Sequence, residues 1–460
     1  MPDGSGWKDR HARPSDWTDM DTRAWAASNL AARLLAEPWT PQAIAAGIDS
    51  VLGPVHHRTR GALIVRLAAL GEGTYPPAPR TLTAYLIRSE YFRPLRGRPI
   101  TTVLDAPRFA PMKPFANLRI PALATLGELA EWLGQSPDQL DWLPDERRGH
   151  GRAVKPALQH YRYAFVGKRA GKLRLIEAPK PRLKAIQRRI LHEILSTVPV
   201  HRCANGFVAG RSCLSGAQVH AGESVVATFD LAEFFPSVGL ARIHGIFRSL
   251  GYPWAVARRL AGLCTTVTPA DVFRRAPDSQ CPNPGLQALY GVPHLPQGAP
   301  TSPAFTNLLA WTLDRRLHGL ARAAGANYTR YADDLAFSGD ADFANRLCAF
   351  HKTVETILNE EGFSLNATKT HIMPRSTRQR ITGIVVNEHC NIGRAEFDTL
   401  KAILHNCVRT GPDGQNRAGV PDFRSHLAGR IAWVEQINPH RGAKLRVLFE
   451  RIAWSATIPR

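Results

Sequence analysis

The chain has 460 residues, which at about 100–200 residues per domain predicts two to four domains or subdomains rather than one small module. Hydrophobic residues make up 44% and charged ones 21%, which excludes a wholly disordered, collagen-like or coiled-coil chain. Lys plus Arg is 59 against 38 Asp plus Glu, and the net charge of +21 points to a polyanionic partner, nucleic acid or an anionic membrane surface.

Residues 1–23 read as a mobile tail with no apolar core of a secretory signal. Trp25, Leu30, Leu34 and Leu35 then recur at helical spacing until Pro38 and Pro41 break the pattern, and further apolar-periodic stretches cover Ile44–Leu52 and Arg60–Leu70. Gly71–Arg80 reads as a loop. Residues 121–144 read as two short helices joined at Gly134–Ser136. A helix-turn-helix that reads DNA needs a basic second helix, and this one is acidic, so the pair is taken as a packing unit. Between Gly151 and Val200 there are twelve Lys or Arg against two Glu, with Tyr161 and Tyr163 interleaved, a mix suited to phosphate contact and base stacking. From about residue 200 to 390 strand-like runs alternate with helices. Residues 391–460 read as helical, with an apolar face of Leu427, Ile431, Val434, Ile437, Leu445, Leu448 and Ile452. No apolar run is long enough to span a bilayer, and the seven cysteines contain no Cys-x-x-Cys pair, so a reducing cytoplasm is expected.

Two stretches carry chemistry. In Ser224–Ser237 a β-branched and apolar run ends at Asp230, followed by Phe234 and Phe235. A lone Asp after a strand is usually a cap or turn residue. In Tyr328–Ser338 two strand-like halves flank Asp333 and Asp334, which reads as a hairpin with the acidic pair at its bend. If both belong to one sheet, three carboxylates meet at its edge. They repel one another unless a cation neutralises them, and hard Mg²⁺ is the natural choice. On so basic a chain the pattern suggests two-metal phosphoryl transfer on nucleic acid.

Tyr331-Ala-Asp-Asp334 resembles the polymerase motif of reverse transcriptases, the Phe229-Asp230 strand their first catalytic motif, and Leu295–Asn307 the Pro-Gln-Gly segment of bacterial ones. Asn366-Ala-Thr-Lys369-Thr, Ile381-Thr382-Gly383 and Gly216-Ala217-Gln-Val-His220 are similar to retron elements, with Ile381 in place of Val and Gly216 in place of Asn. The C-terminal helices resemble a retron thumb, and residues 121–144 followed by His160-Tyr-Arg-Tyr163 the longer myxobacterial-type retron enzymes. The resemblance covers about residues 120–455.

It implies an α+β right-hand polymerase. The expected boundaries are a tail at 1–23, a helical extension at 24–145, fingers at 146–222, a palm at 223–390 with a fingers insertion around 240–295, and a helical thumb at 391–460. Asp230, Asp333 and Asp334 are expected to be catalytic and to hold two Mg²⁺, with Mn²⁺ as a substitute. Lys172 and Arg174, alternating on one strand face, are expected to clamp a triphosphate; Gln297 lies at the nucleotide pocket, Phe235 excludes a 2′-hydroxyl, and Lys369 serves the leaving pyrophosphate. Arg182, Lys184, Arg188 and Arg189 are expected on a helix facing the template backbone, and His220, Thr382 and Gly383 against structured RNA. Ser302 is expected to cap a helix running to Ala324, with Pro303 in its first turn. The implied partners are a structured non-coding RNA as template and primer, the RNA–DNA product, dNTPs and an effector protein of phage defence, with no membrane. Rival readings are a group II intron or other defence reverse transcriptase, a non-catalytic RNA-binding scaffold, and a template-independent nucleotidyl transferase.

Overall fold

The computed structural model describes residues 19–52, 57–71, 76–77, 79–92, 107–144, 158–167, 173–275 and 284–454. The chain divides into two compact units, one of Met1–Thr197 with Val238–Pro300, the other of Val198–Ser237 with Thr301–Arg460.

The first unit opens with helices α1 (Asp19–Ala36), α2 (Pro41–Leu52), α3 (His57–Ala68) and α4 (Pro79–Arg88). Their inward stripes supply one core, including Leu30, Leu34, Ile44, Ile48, Leu63, Leu67, Leu82 and Leu86. Helix α1 starts at Asp19, ahead of residue 24. Helices α5 (Leu126–Leu133) and α6 (Pro137–Trp142) follow. Each opens on a reciprocal capping box, Thr125 with Glu128 and Ser136 with Gln139, and Gly134 closes α5 at φ 63°. Strands β1 (Tyr161–Gly167) and β2 (Leu173–Pro179) form an antiparallel hairpin in which Tyr161 faces Pro179. Helix α7 (Pro181–Glu193) then buries Leu183, Ile186 and Ile190.

The chain enters the second unit with α8 (Cys213–Gln218) and β3 (Val225–Asp230). It returns to the first unit for α9 (Leu240–Ser249), α10 (Trp254–Cys264), α11 (Ala270–Phe273) and α12 (Pro284–Tyr290). The second unit resumes with α13 (Ser302–Leu309) and α14 (Trp311–Ala323). The single helix expected from Ser302 to Ala324 is therefore two. Thr301, not Ser302, is the residue before the first turn, and its side chain makes no cap. Thr306 Oγ1 donates back to the Ser302 and Pro303 carbonyls at 3.2 and 2.9 Å, a bond that bends helices, and the break follows at Ala310.

Strands β4 (Asn327–Tyr331) and β5 (Asp334–Gly339), helix α15 (Ala341–Glu360), and strand β6 (His371–Pro374) complete a four-stranded antiparallel sheet in the order β4-β5-β3-β6. The central β3 is all but fully buried at Val225, Val226 and Ala227, which its continuous apolar run requires. A short hairpin, β7 (Arg380–Ile381) and β8 (Ile384–Val385), leads to helices α16 (Arg394–Thr410), α17 (Phe423–Ile437) and α18 (Pro439–Glu450). These bury Leu400, Leu404, Leu427, Ile431, Val434 and Leu445 in one core, so the apolar face read from the sequence is the buried one. Helices packed on antiparallel sheets make the fold class α+β. Among the described residues no helix is long and apolar enough to cross a membrane.

Candidate active site

The register of the sheet sets the site. In the antiparallel pairing of β3 with β5, Asp230 lies directly opposite Asp334. Directly paired residues of an antiparallel ladder have Cα atoms about 4.5–5.5 Å apart, so two acidic side chains far apart in sequence share one end of the sheet. Tyr331 pairs with Asp334, which leaves Ala332 and Asp333 as the two turn residues. Asp333 thus sits in the bend, whereas Asp334 is the first residue of β5. The Leu231 amide donates to the Asp333 carbonyl at 2.9 Å and fixes the turn against the end of β3.

The hairpin is strained and held. Ala332 has φ 55°, which a residue bearing a Cβ adopts only when its surroundings impose it. Gly206 lies against it: a Cβ there would fall 2.6 Å from the Ala332 nitrogen. The side chain of Arg330 is fully buried, as is that of Asp314. Its guanidinium donates to both Asp314 oxygens at 2.8 and 2.7 Å, to Asn307 Oδ1 at 2.9 Å and to the Ala332 carbonyl at 3.1 Å. Asn307 Nδ2 in turn donates to the Gly206 carbonyl at 2.9 Å, and the Tyr328 hydroxyl to Asp314 at 2.8 Å. Two helices, a loop and the aspartate hairpin are joined through one charge pair with every Arg330 nitrogen engaged. Sequence reasoning passed over Arg330, Asp314, Asn307 and Gly206, since nothing local marks a strand arginine as buried.

Asp230 is already neutralised. Lys369 Nζ donates to Asp230 Oδ1 at 2.7 Å, and Asn366 Nδ2 to Oδ2 at 3.0 Å. Partial burial opposes the Lys369 charge, but the bond to Asp230 and the field of the three carboxylates raise its pKa above the ordinary value. Asp334 opens to solvent, yet the protein packed round its base, then repulsion from Asp333 and Asp230, push it up to about 6, with Lys369 opposing. A carboxyl so raised is an unmet demand for positive charge, and hard oxygen donors at one sheet end suit a divalent cation. Among the described residues no group of three or more His, Cys, Asp or Glu side chains is gathered so that it could hold a metal ion.

Phe234 and Phe235 divide as their positions require. Phe234 is buried, with its ring 5.6 Å from Phe363, and Phe235 is half-exposed, 5.8 Å from Phe234.

Thr382 and Gly383 are the two turn residues of the β7–β8 hairpin, both with positive φ, 47° and 95°. Positive φ at both positions is the tight hairpin turn that matches strand twist, which Gly383 accommodates and Thr382 does not. Thr382 borders a cavity of about 90 Å³ with Asn205, Gly216, Thr228, Tyr331 and Asp334, and its hydroxyl is enclosed without a hydrogen-bond partner. Two of the retron-like elements therefore meet beside the aspartate hairpin. Where Gly216 stands in place of Asn, the amide of Asn205 fills the space, 3.3–3.4 Å from where a Cβ would be. It accepts from Ser215 Oγ at 3.0 Å and donates to the Cys203 carbonyl at 3.1 Å.

His220 is a correction. Its ring was expected against RNA, but it is wholly buried, with one nitrogen 2.7 Å from Ser338 Oγ and the other 2.7 Å from Thr329 Oγ1. It ties α8 to β4 and β5 and presents no surface to RNA. Burial pushes its pKa down to about 3. The folded state therefore resists a proton that the unfolded chain takes up near pH 6.5, and the stability this residue contributes is lost as pH falls from about 6.5 toward 3. Between pH 6.5 and 5 the loss is on the order of 2 kcal/mol. Urea unfolding of the His220→Gln variant is expected to fall less steeply over that range than the parent's. An equal slope would count against the assignment.

The remaining expected site residues belong to the first unit, except Lys172, which lies outside the described residues. Arg174 is half-buried on β2 with its Nε enclosed and unpaired. The Gln297 carbonyl accepts from the Glu177 amide at 2.8 Å, and Gly298, at φ 134°, approaches the Glu177 carbonyl to within 3.0 Å of a would-be Cβ. Buried Glu177 is also bonded by Thr268 Oγ1 at 2.6 Å and His294 Nε2 at 3.0 Å, so the Pro-Gln-Gly loop is clamped to β2 by residues the sequence did not flag. Arg182, Lys184, Arg188 and Arg189 are all exposed on α7. Two of them are engaged: Arg182 donates to Gln135 at 2.9 Å, and Arg189 bonds Glu193 at 2.9 Å and lies 5.0 Å over the Trp132 ring.

Residues 166–386 match the family described as reverse transcriptase (RNA-dependent DNA polymerase). The retron Mx65 reverse transcriptase of Myxococcus xanthus is 42% identical over 293 residues, 63% of this chain and 64% of that protein. Just under half of the chain thus matches the reverse transcriptase family, and the relatives it resembles are retron reverse transcriptases. Two further retron-type reverse transcriptases are similar to it. Retron Mx162 of the same organism is 35% identical over 328 residues, 68% of this chain and 64% of its own. Retron Ec86 of Escherichia coli is 31% identical over 236 residues, 51% and 65% respectively. The chain thus spans just under two thirds of the length of each of these three relatives.

Proposed function

We propose that this chain is an RNA-directed DNA polymerase that copies part of a structured non-coding RNA into single-stranded DNA, primed from a 2′-hydroxyl of that RNA. The observation that carries the reading is the pairing of Asp230 with Asp334, with Asp333 in the adjoining turn, in a chain that matches this family. Fingers, palm and thumb are assigned to the boundaries given above. We assign it to the cytoplasm on its scattered cysteines, and give it an antiphage role alongside an effector protein on its resemblance to retron enzymes.

Asp230, Asp333 and Asp334 would hold two Mg²⁺ ions, or Mn²⁺ in their place, which when bound lower the pKa of an attacking hydroxyl and stabilise the departing pyrophosphate. Lys369, kept cationic by the three acids, is assigned to the pyrophosphate, to which an ammonium can give a proton. Lys172, Arg174 and Gln297 are assigned to the incoming nucleotide. Arg182, Lys184, Arg188 and Arg189 are assigned to the template backbone, and Thr382 and Gly383 to the structured RNA. His220 supports the sheet from behind.

The test is extension of a primer on an RNA template with dNTPs, with a template-free control. Synthesis without template would instead indicate a template-independent transferase. In the same assay Phe235→Ala is expected to admit ribonucleotides, because the half-exposed ring is what a 2′-hydroxyl would meet. A single misfitting group in a pocket shifts discrimination by roughly 10–200-fold, and at least a shift of that order is expected. Unchanged dNTP selection would remove Phe235 from the nucleotide pocket.

A further inference from the structure

Phe207 stands out on the second unit for being in the wrong place by every folding criterion. Its side chain is 57% exposed, and its backbone lies at φ 58°. A bulky residue in the left-handed region is a genuine outlier, and a ring left in water recovers nothing from burial. Glycine or asparagine would serve the turn better. Phe207 therefore works against the stability of the loop that carries it.

That loop is nevertheless built rigidly. Arg211 Nη1 donates to the carbonyls of His201, Arg202 and Ala204 at 2.9, 3.1 and 2.7 Å. The Asn205 amide donates to the Arg330 carbonyl at 2.7 Å, and the Arg330 amide to the Cys203 carbonyl at 2.8 Å, so residues 203–205 run along the edge of β4. Gly206 then abuts the Ala332 nitrogen, and its carbonyl is held by Asn307. Phe207 follows directly. Its ring centroid is 6.2 Å from that of Tyr331, at 35°, and Tyr331 pairs with Asp334. A strained, exposed aromatic ring is thus fixed next to the catalytic turn by the same contacts that fix the turn.

We propose that Phe207 is a stacking face for the base of the priming nucleotide, the one whose hydroxyl attacks. This rests on the polymerase reading of Asp230, Asp333 and Asp334. The nucleotide bearing the attacking hydroxyl must approach the aspartate turn, and the exposed ring beside that turn offers its base a flat apolar surface. An aromatic face accepts any base, so the contact positions the primer end without reading sequence. Phe207 touches the primer and not the reacting atoms, and its effect is on how the hydroxyl is presented.

The test uses the full chain and a primer–template whose primer terminus carries either 2-aminopurine or an abasic sugar. The wild-type chain is expected to change the fluorescence of the terminal 2-aminopurine and to bind the abasic primer about 10-fold more weakly than the intact one, within the range of one stacked base. Phe207→Ala is expected to lose the fluorescence change and bind both primers alike, at the weaker level, while Phe207→Trp restores the difference. An exposed ring on a left-handed backbone leaves no cavity when removed, so both variants fold, and a melting temperature no lower than the parent's confirms it. If Phe207→Ala still distinguishes the intact from the abasic terminus by the wild-type factor, the proposal is overturned. Failure of the wild-type chain to extend any primer sinks the polymerase assignment instead, and the abasic comparison then decides Phe207 by itself.

Discussion

Replacing Asp333 and Asp334 together by Asn is expected to cut dNTP incorporation by roughly 10³-fold or more while RNA binding stays near the parent's. Metal-based charge stabilisation supplies several kcal/mol at such sites, and each 1.36 kcal/mol is tenfold in rate. The substitution keeps the volume, removes the charge and turns one acceptor oxygen of each carboxylate into a donor nitrogen. It also relieves a tension the fold carries, because Asp334 is pushed up to about 6, which means the folded state disfavours its ionised form. For a carboxyl with a raised folded-state pKa, the ionised form weakens the fold above the ordinary value near 3.8, so removing the Asp334 charge costs no stability at neutral pH. An unchanged melting temperature then separates lost activity from unfolding. Single-turnover incorporation and a filter-binding titration, run side by side, check it, and retained incorporation would sink the active-site assignment.

The parts of this site that were legible in the sequence are those where a local pattern and a chemical need coincide. The apolar run ending at Asp230 had to be a buried strand, and two Asp between strand-like halves had to lie near a turn. Mutual repulsion then demanded a cation. What the sequence withheld depends on long-range register and on which way a side chain faces. His220 follows a helix of six residues, and only its placement under β4 and β5 makes it a buried strut rather than a surface contact. Arg330, on a strand of alternating residues, looked like one more positive charge in a chain with many. Its burial depends on Asp314, sixteen residues away on α14, and that helix exists separately only because α13 breaks at Ala310. Similarly, Lys369 was read as a nucleotide contact. Its pairing with Asp230, 139 residues earlier, appears only once β3 is in place. Half of the basic residues chosen on α7 are partly occupied by Gln135, Glu193 and Trp132, because charge counts do not say which charges are already answered.

The Arg330 lock yields the second large effect, and one that separates fold from function. Arg330→Met alone leaves Asp314 as an unpaired charge in a site with no solvent access, and a cost of about 3–5 kcal/mol in unfolding free energy is expected. Adding Asp314→Leu and Tyr328→Phe removes the orphaned charge and the hydroxyl that bonded it, and exchanging a buried pair for apolar residues of similar volume is often neutral or stabilising. The triple variant should therefore regain most of the lost stability. It should not regain activity. Nothing in it caps the Ala332 carbonyl or orients Asn307 toward Gly206, so the strained turn that aims Asp333 and Asp334 is free to relax. A misplacement of about 1 Å at a reacting group costs on the order of 10²-fold, and kcat, more than KM for dNTP, should carry that loss. Ala332→Gly, which tolerates positive φ without a Cβ, deepens the loss if the turn must be held in place and leaves it unchanged if the turn holds itself. Urea unfolding and steady-state extension on the single, triple and quadruple variants decide the matter. If stability and kcat recover together in the triple variant, Arg330 serves the core alone and the aspartates need no lock.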